Sequence, residues 1–394
     1  MNSYAPAVTL PHGIDGATFL RDYWQKKPLL MRSAMPATAF RLAPDELAGL
    51  ACEAEFESRL IIEHPDGAWE VRHGPFAGDE FATLPASHWT LLVQDVDKYL
   101  PDVARLMEGF DFVPTWRIDD IMISYATDQG GVGPHTDAYD VFLMQAGGRR
   151  RWRLSYTQYS DDDLIPDLEQ RILSHFHIDE EWILEPGDVL YLPPGIAHWG
   201  IAEGECMTYS LGFRAPSQQD LAADWFQHLV SLTDTRRLLD PPDLRLESPA
   251  ELSEGACEQA ARLLDPLPST RSTDYRLWLG EHLTEPKPQF QLLPPDEAWS
   301  EQDLDHWLTA GRNLDRHPFA RMAWARIGDD EVVLFSQGES RRLHHRMTDA
   351  VKLIAEHRHF GAAELARLDA PVEALSTLLL QLLNAGILEP QEQD

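Results

Sequence analysis

Gly130-Gly-Val-Gly-Pro-His-Thr-Asp137, taken with Glu185-Pro-Gly-Asp-Val-Leu-Tyr-Leu-Pro-Pro-Gly-Ile-Ala-His-Trp199, is the pair of stretches that decides the fold. The glycine run reads as a tight turn that delivers His135 and Asp137 together onto a strand-like segment. Residues two apart on a strand project to one face, so both side chains can point into one barrel interior. The second stretch is a short branched run ended by Pro193-Pro-Gly195, a sharp turn that presents His198 beside them.

Working outward, residues 121–125, 139–145, 149–155, 189–192 and 207–213 are short branched or aromatic runs bounded by Gly, Pro and Asp, the texture of a β-barrel or sandwich. Gly147-Gly148 reads as a turn between two of these strands. Before them, residues 17–32 hold an amphipathic run that Pro28 separates from a short apolar one. After Pro216 apolar positions such as Leu221, Trp225, Leu229 and Leu232 recur at helical spacing. From about residue 290 the order is helix, two strands around the turn Gly328-Asp-Asp330, and two more helices, which suits a small winged helix. The expected division is 1–215, 216–286 and 287–394.

Two histidines and one carboxylate on one face of an octahedron leave three positions open, as iron(II) oxygenases require; zinc prefers a tetrahedral set. The His-x-Asp pattern alone carries little, since three such triplets occur. His64-Pro-Asp66 sits in a turn-like stretch and His177-Ile-Asp179 in an acidic one, and both read as surface features. Only His135-Thr-Asp137 follows a glycine turn and has a later partner, His198.

In Arg149-Arg-Arg-Trp-Arg-Leu154 one strand face carries Arg150, Trp152 and Leu154. A guanidinium in that apolar row needs a partner, and a carboxylate such as one end of 2-oxoglutarate supplies a bidentate one. The same parity puts Asp120, Met122 and Ser124 on one face, and Thr208, Ser210 and Gly212 on another. An acid can therefore sit at the pocket mouth, with Ser124 deeper and Ser210 in its wall. Either Asp119 or Asp120 could instead only end a strand.

The chain has 394 residues, 43% apolar and 25% charged, which are globular proportions. No apolar stretch is long enough to span a bilayer, and the N-terminus lacks the pattern of a secretory signal. Cys52, Cys206 and Cys257 are far apart, which removes a disulfide framework and fits a reducing cytoplasm. A net charge of −32 repels phosphate backbones, argues against direct nucleic-acid binding and permits attraction to a basic protein.

Tyr23-Trp-Gln-Lys-Lys-Pro-Leu-Leu30, Trp116-Arg-Ile-Asp-Asp-Ile-Met-Ile-Ser124, Gly131-Val-Gly-Pro-His-Thr-Asp-Ala-Tyr-Asp-Val-Phe142, Gly148-Arg-Arg-Arg-Trp-Arg153 and the run 186–198 resemble the JmjC subfamily of iron and 2-oxoglutarate oxygenases. Within it the resemblance is to the bacterial ribosomal oxygenases that hydroxylate an arginine of large-subunit ribosomal protein sixteen. It implies an α+β fold: a double-stranded β-helix of the cupin/JmjC jelly-roll type, a helical dimerisation segment and a winged-helix-like end. It also implies iron(II) on His135, Asp137 and His198, with 2-oxoglutarate and dioxygen as cosubstrates. Arg150 is implied to bind the distal carboxylate, with Ser124 nearby, while Asp120 and Ser210 seat the substrate arginine. The implied partners are a basic large-subunit ribosomal protein and a second copy of the chain. Rival readings are a JmjC oxygenase acting on histidyl or methyl-lysyl residues, a cupin without oxidative turnover, and a winged-helix regulator that keeps the barrel as a sensor. The last is disfavoured because Arg341-Arg342 and His344-His-Arg346 are the only basic clusters there.

Overall fold

The computed structural model describes residues 7–214, 216–233 and 252–391. They form two compact units. One comprises the described residues of Met1–Ala215, Pro286–Arg321 and Arg346–Asp394, the other those of Pro216–Glu285 and Met322–His345.

The first unit is built on ten strands: β1 Leu29–Met31, β2 Ser58–Glu63, β3 Trp69–His73, β4 Trp89–Val93, β5 Ile118–Ala126, β6 His135–Thr136, β7 Val141–Ser155, β8 Glu180–Leu184, β9 Val189–Leu192 and β10 Ala197–Phe213. They hydrogen-bond in the order β1-β9-β7-β10-β5-β4-β2-β3, with β6 added to β10 and β8 to β7. All pairings are antiparallel. Every expected strand is present, and Leu143, Trp152, Leu154, Leu184 and Leu190 fill part of the interior.

Gly147-Gly148 is not a turn. β7 runs through it as one strand, and its register with β10 shifts there, from Arg149 opposite Glu203 to Gly147 opposite Met207. Gly148 has φ +63, and a Cβ on it would lie 2.0 Å from the Glu205 carbonyl oxygen. The glycines therefore bend a continuous strand by a bulge, which puts residues 141–145 and 149–155 on different parts of the barrel wall.

The amphipathic run expected before Pro28 is the helix Gly16–Asp22, which starts where Asp15 accepts the Thr18 N–H at 2.8 Å. Phe19 and Trp24 pack on Phe142, Tyr191 and Phe213. Beneath them, fully buried Asp140 accepts from the Tyr191 hydroxyl at 2.6 Å, Gln25 Nε2 at 3.1 Å and Arg117 Nη2 at 3.2 Å. The N-terminal segment is thus tied to the strand that follows Asp137.

In the second unit the helices Gln218–Ser231, Glu254–Leu264 and Thr273–Thr284 accompany a sheet of Met322–Ile327, Glu331–Ser336 and Glu339–His344. Ser217 caps the first helix, its Oγ accepting from the Asp220 N–H at 3.0 Å. The remaining C-terminal residues of the first unit contribute the helices Glu301–Thr309, Thr348–Glu356 and Val372–Asn384 with a sheet of Asn313–Arg316, His359–Gly361 and Leu388–Pro390. These last strands were not expected, because three or four residues are too few to show a two-residue alternation.

Candidate metal and cosubstrate site

His135 and His198 lie directly opposite each other on β6 and β10, with ring centroids 4.2 Å apart. Each is aimed from its other edge: His135 Nδ1 bonds the Gly133 carbonyl and His198 Nδ1 the Ile196 carbonyl, both at 3.0 Å. Donation from Nδ1–H leaves Nε2 as a lone pair facing inward, the form that binds a metal. Asp137 completes the group, its Oδ1 3.9 Å from His135 Nε2 and its Oδ2 3.6 Å from His198 Nε2. The Gly195 N–H donates to the Asp137 carbonyl at 2.9 Å, so the Pro-Pro-Gly turn holds the two motifs together. Burial, reinforced by His135, pushes His198 down to about 4 and keeps it neutral. Among the described residues this is the one cluster of three or more His, Cys, Asp or Glu whose donor atoms all lie within 4.8 Å of one another. His64 and His177 are paired at the surface with Glu70 and Asp179.

The three side chains line a cavity of about 300 Å³ with Arg150, Trp152, Ser124 and Thr208. Arg150 is 3% exposed, and its guanidinium lies 5.1 Å from the centroid of the Trp152 ring. Nη2 donates to the Gly200 carbonyl at 3.3 Å, but Nε and Nη1 are buried without a partner among the described residues. A buried guanidinium with two free donors is costly unless an anion completes it. A carboxylate fits that need, and the donor set beside it fits a six-coordinate iron(II). Gly200 allows the arrangement, since a Cβ there would lie 2.6 Å from Arg150 Nε and 2.8 Å from the Trp152 ring.

At the other end of the cavity Asp119, Asp120, Tyr139 and Ser210 line the wall. Leu211 pairs with Ile121 and Phe213 with Ile118, so Gly212 alone opposes both Asp119 and Asp120. This bulge explains why both acids reach the cavity when strict alternation would have sent Asp119 away from it. Their electrostatics diverge. Burial alone would raise Asp119, but Lys287, Arg214 and Arg321 outweigh it and hold its carboxyl below the usual range. The three cations stand 3.4, 3.0 and 3.2 Å from its oxygens. Asp120 forms no ion pair among the described residues: Oδ2 accepts from Gln94 Nε2 at 3.0 Å and the Asp95 N–H at 3.2 Å. Burial, then repulsion from Asp97 and Asp95, pushes Asp120 up to about 7.

Comparison with known proteins bears on what this cavity belongs to. A JmjC domain model matches residues 105–221, and a ROXA-like winged helix model matches residues 262–389. The chain is 36% identical over 375 residues to the ribosomal protein uL16 3-hydroxylase of Escherichia coli, covering 93% of this chain and 95% of that one. The chain belongs to the JmjC ribosomal oxygenase family. A probable ribosomal oxygenase of Haemophilus influenzae is 39% identical over 215 residues, 54% of this chain and 52% of its own. Among solved structures, E. coli YcfD superposes with a TM-score of 0.82 at 31% identity over 98% of this chain and 100% of that one. YcfD in complex with cobalt and 2-oxoglutarate superposes with a TM-score of 0.79, at the same identity and coverage. The ten-stranded sheet of the oxygenase accordingly contains the double-stranded β-helix, and its cofactor pair is iron(II) and 2-oxoglutarate. The expected residues His135, Asp137, His198, Arg150, Ser124, Asp120 and Ser210 all line this same cavity of the JmjC protein. Tyr139 lines it too and was legible only as the second residue after Asp137. Gln94, Lys287 and Arg321, which set the acidic end of the oxygenase's cavity, carry no motif at all.

Proposed function

We propose that the chain hydroxylates a side-chain carbon of an arginine in a large-subunit ribosomal protein. The observation that carries the reading is Asp120, a 5% exposed carboxylate whose Oδ1 has no hydrogen-bond partner among the described residues at the end of the metal cavity. A buried acid raised in this way is a receptor for a cation, because an incoming guanidinium both charges it and fills its free lone pairs. The net charge of −32 suits a basic ribosomal protein as partner, and the relative spanning nearly the whole chain is named for uL16.

In this reading His135, Asp137 and His198 hold the iron, and Arg150 with Ser124 binds the far carboxylate of 2-oxoglutarate. Bound there, iron(II) with 2-oxoglutarate and dioxygen supplies the oxidising power for C–H hydroxylation, with release of succinate and CO2. The chain's own side chains bind and orient. The Nδ1 bonds of both histidines fix their rings, Asp120 and Ser210 seat the guanidinium, and the distance between that seat and the triad selects which carbon of the substrate side chain lies nearest the metal. Trp152, Leu143 and Val141 line the cavity and exclude water. Exposed Phe226 and Val230 on the helix Gln218–Ser231 and Leu264 at the end of Glu254–Leu264 support pairing of two copies through the helical segment.

Intact-mass analysis of ribosomal proteins from cells with and without the gene tests the function. One basic large-subunit protein gains a single oxygen on arginine, and His135→Ala abolishes the gain. An unchanged mass profile, or an oxygen on histidine, would remove the arginine assignment.

A further inference from the structure

Most glycines around the cavity have an evident reason. A Cβ at Gly131 would lie 2.5 Å from the Gly200 carbonyl oxygen, and Gly200 and Gly148 are as tightly enclosed. Gly212 is different. Its φ lies outside the left-handed region, and a Cβ on it would meet nothing closer than Asp120 Oδ1 at 3.5 Å and Tyr139 Cε2 at 4.0 Å, ordinary van der Waals distances. Neither backbone nor neighbouring protein atoms demand glycine there. What a side chain at 212 would fill is the opening between the free oxygen of Asp120 and the Tyr139 ring, on the wall of the metal cavity.

We propose that Gly212 is a specificity-determining position: its missing Cβ keeps a slot open between Asp120 and Tyr139 that admits a flat guanidinium end group. This rests on the arginine reading above. A donor nitrogen hydrogen-bonding Asp120 Oδ1 must come within about 2.7–2.9 Å of it. A Cβ only 3.5 Å from that oxygen stands in van der Waals contact with the donor's place. Gln94 and the Asp95 N–H reinforce the slot, since both bind Oδ2 and leave Oδ1 turned toward Gly212. A planar end group fits between Asp120 Oδ1 and the Tyr139 ring, whereas a tetrahedral, strongly hydrated ammonium gains less from a narrow slot.

Full-length protein loaded with Mn(II) and 2-oxoglutarate provides a test that does not depend on which protein is the substrate. n-Propylguanidine is titrated in, and the broadening of its proton resonances by the bound manganese reports entry into the slot. Wild type broadens them; Gly212→Ala weakens the apparent affinity about tenfold or more, and Gly212→Val abolishes broadening. The dissociation constant for 2-oxoglutarate stays within about twofold of wild type in both variants. Broadening as strong in the variants as in wild type, no broadening in wild type, or a parallel loss of 2-oxoglutarate affinity would overturn the proposal. Failure of wild type to oxidise an arginine of uL16 removes the functional reading instead, and is measured separately by mass.

Discussion

At the scale of single residues, Arg150 and Asp120 are buried charges on the cavity wall whose hydrogen bonding is incomplete among the described residues. Completing Arg150 with a carboxylate adds charge-assisted hydrogen bonds of about 1.5–3 kcal/mol. Arg150→Ala should therefore weaken 2-oxoglutarate binding roughly 10- to 100-fold by calorimetric titration, with metal affinity kept, and Arg150→Lys should recover only part of it. Undiminished binding in Arg150→Ala would place the cosubstrate elsewhere. Asp120, raised to about 7 by burial and by Asp97, Asp95 and Asp119 against the pull of Lys287, is protonated below that pH and charged above it. KM for the cationic substrate should accordingly fall as pH rises through roughly 6 to 8, and Asp120→Asn should raise KM and flatten the profile. The sign for the fold is the opposite. Folded Asp120 holds its proton well above the ordinary aspartate range, so its contribution makes the native state less stable as pH rises from about 4 to about 7. The parity of residues 120, 122 and 124 was legible in the sequence because side-chain alternation is a local property. The protonation of Asp120 was not, because it depends on burial and on Asp97, Asp95 and Lys287, which only folding brings to it.

At the scale of elements, the barrel follows from strands whose faces a two-residue period assigns, interrupted at glycines that the period does not interpret. β7 is the case in point: Gly147-Gly148 looks like a turn, and only its pairing with β10 makes it a bulge. Replacing Gly148 by Ala forces a left-handed φ on an L-residue and drives its Cβ into the Glu205 carbonyl. A loss of about 1–3 kcal/mol is expected, or several degrees of melting temperature by calorimetry. An unchanged melting temperature would mean that the strand bends without the glycine. The glycine turn before His135 works by the same logic. Gly133 has φ +77, and a Cβ there would lie 2.7 Å from the Ile172 side chain, while Leu173 N–H donates to the Pro134 carbonyl at 2.7 Å. The segment that presents the first histidine is thereby clamped by a loop some forty residues further along.

At the scale of the whole molecule, the surplus of acidic over basic residues, 65 against 33, is a long-range field rather than a feature of the site. Such a field is screened within about 8–10 Å at ordinary ionic strength. KM for a basic protein substrate should thus rise severalfold between roughly 0.05 and 0.3 M salt, while KM for 2-oxoglutarate, which the proposed reading places on buried Arg150, changes little. Equal salt sensitivity of the two would argue that protein recognition is confined to the pocket. The sequence by itself determined the triad, the inward Arg150, the serine wall and the order of barrel, helices and winged helix, since turn residues, strand parity and helical spacing all act over a few positions. Only the tertiary structure sets Asp119 apart from Asp120. Arg214, Lys287 and Arg321 pair with the first and not with the second, and two of those cations lie in the C-terminal part of the chain. Charge compensation depends on separation in space, and separation along the chain carries no trace of it.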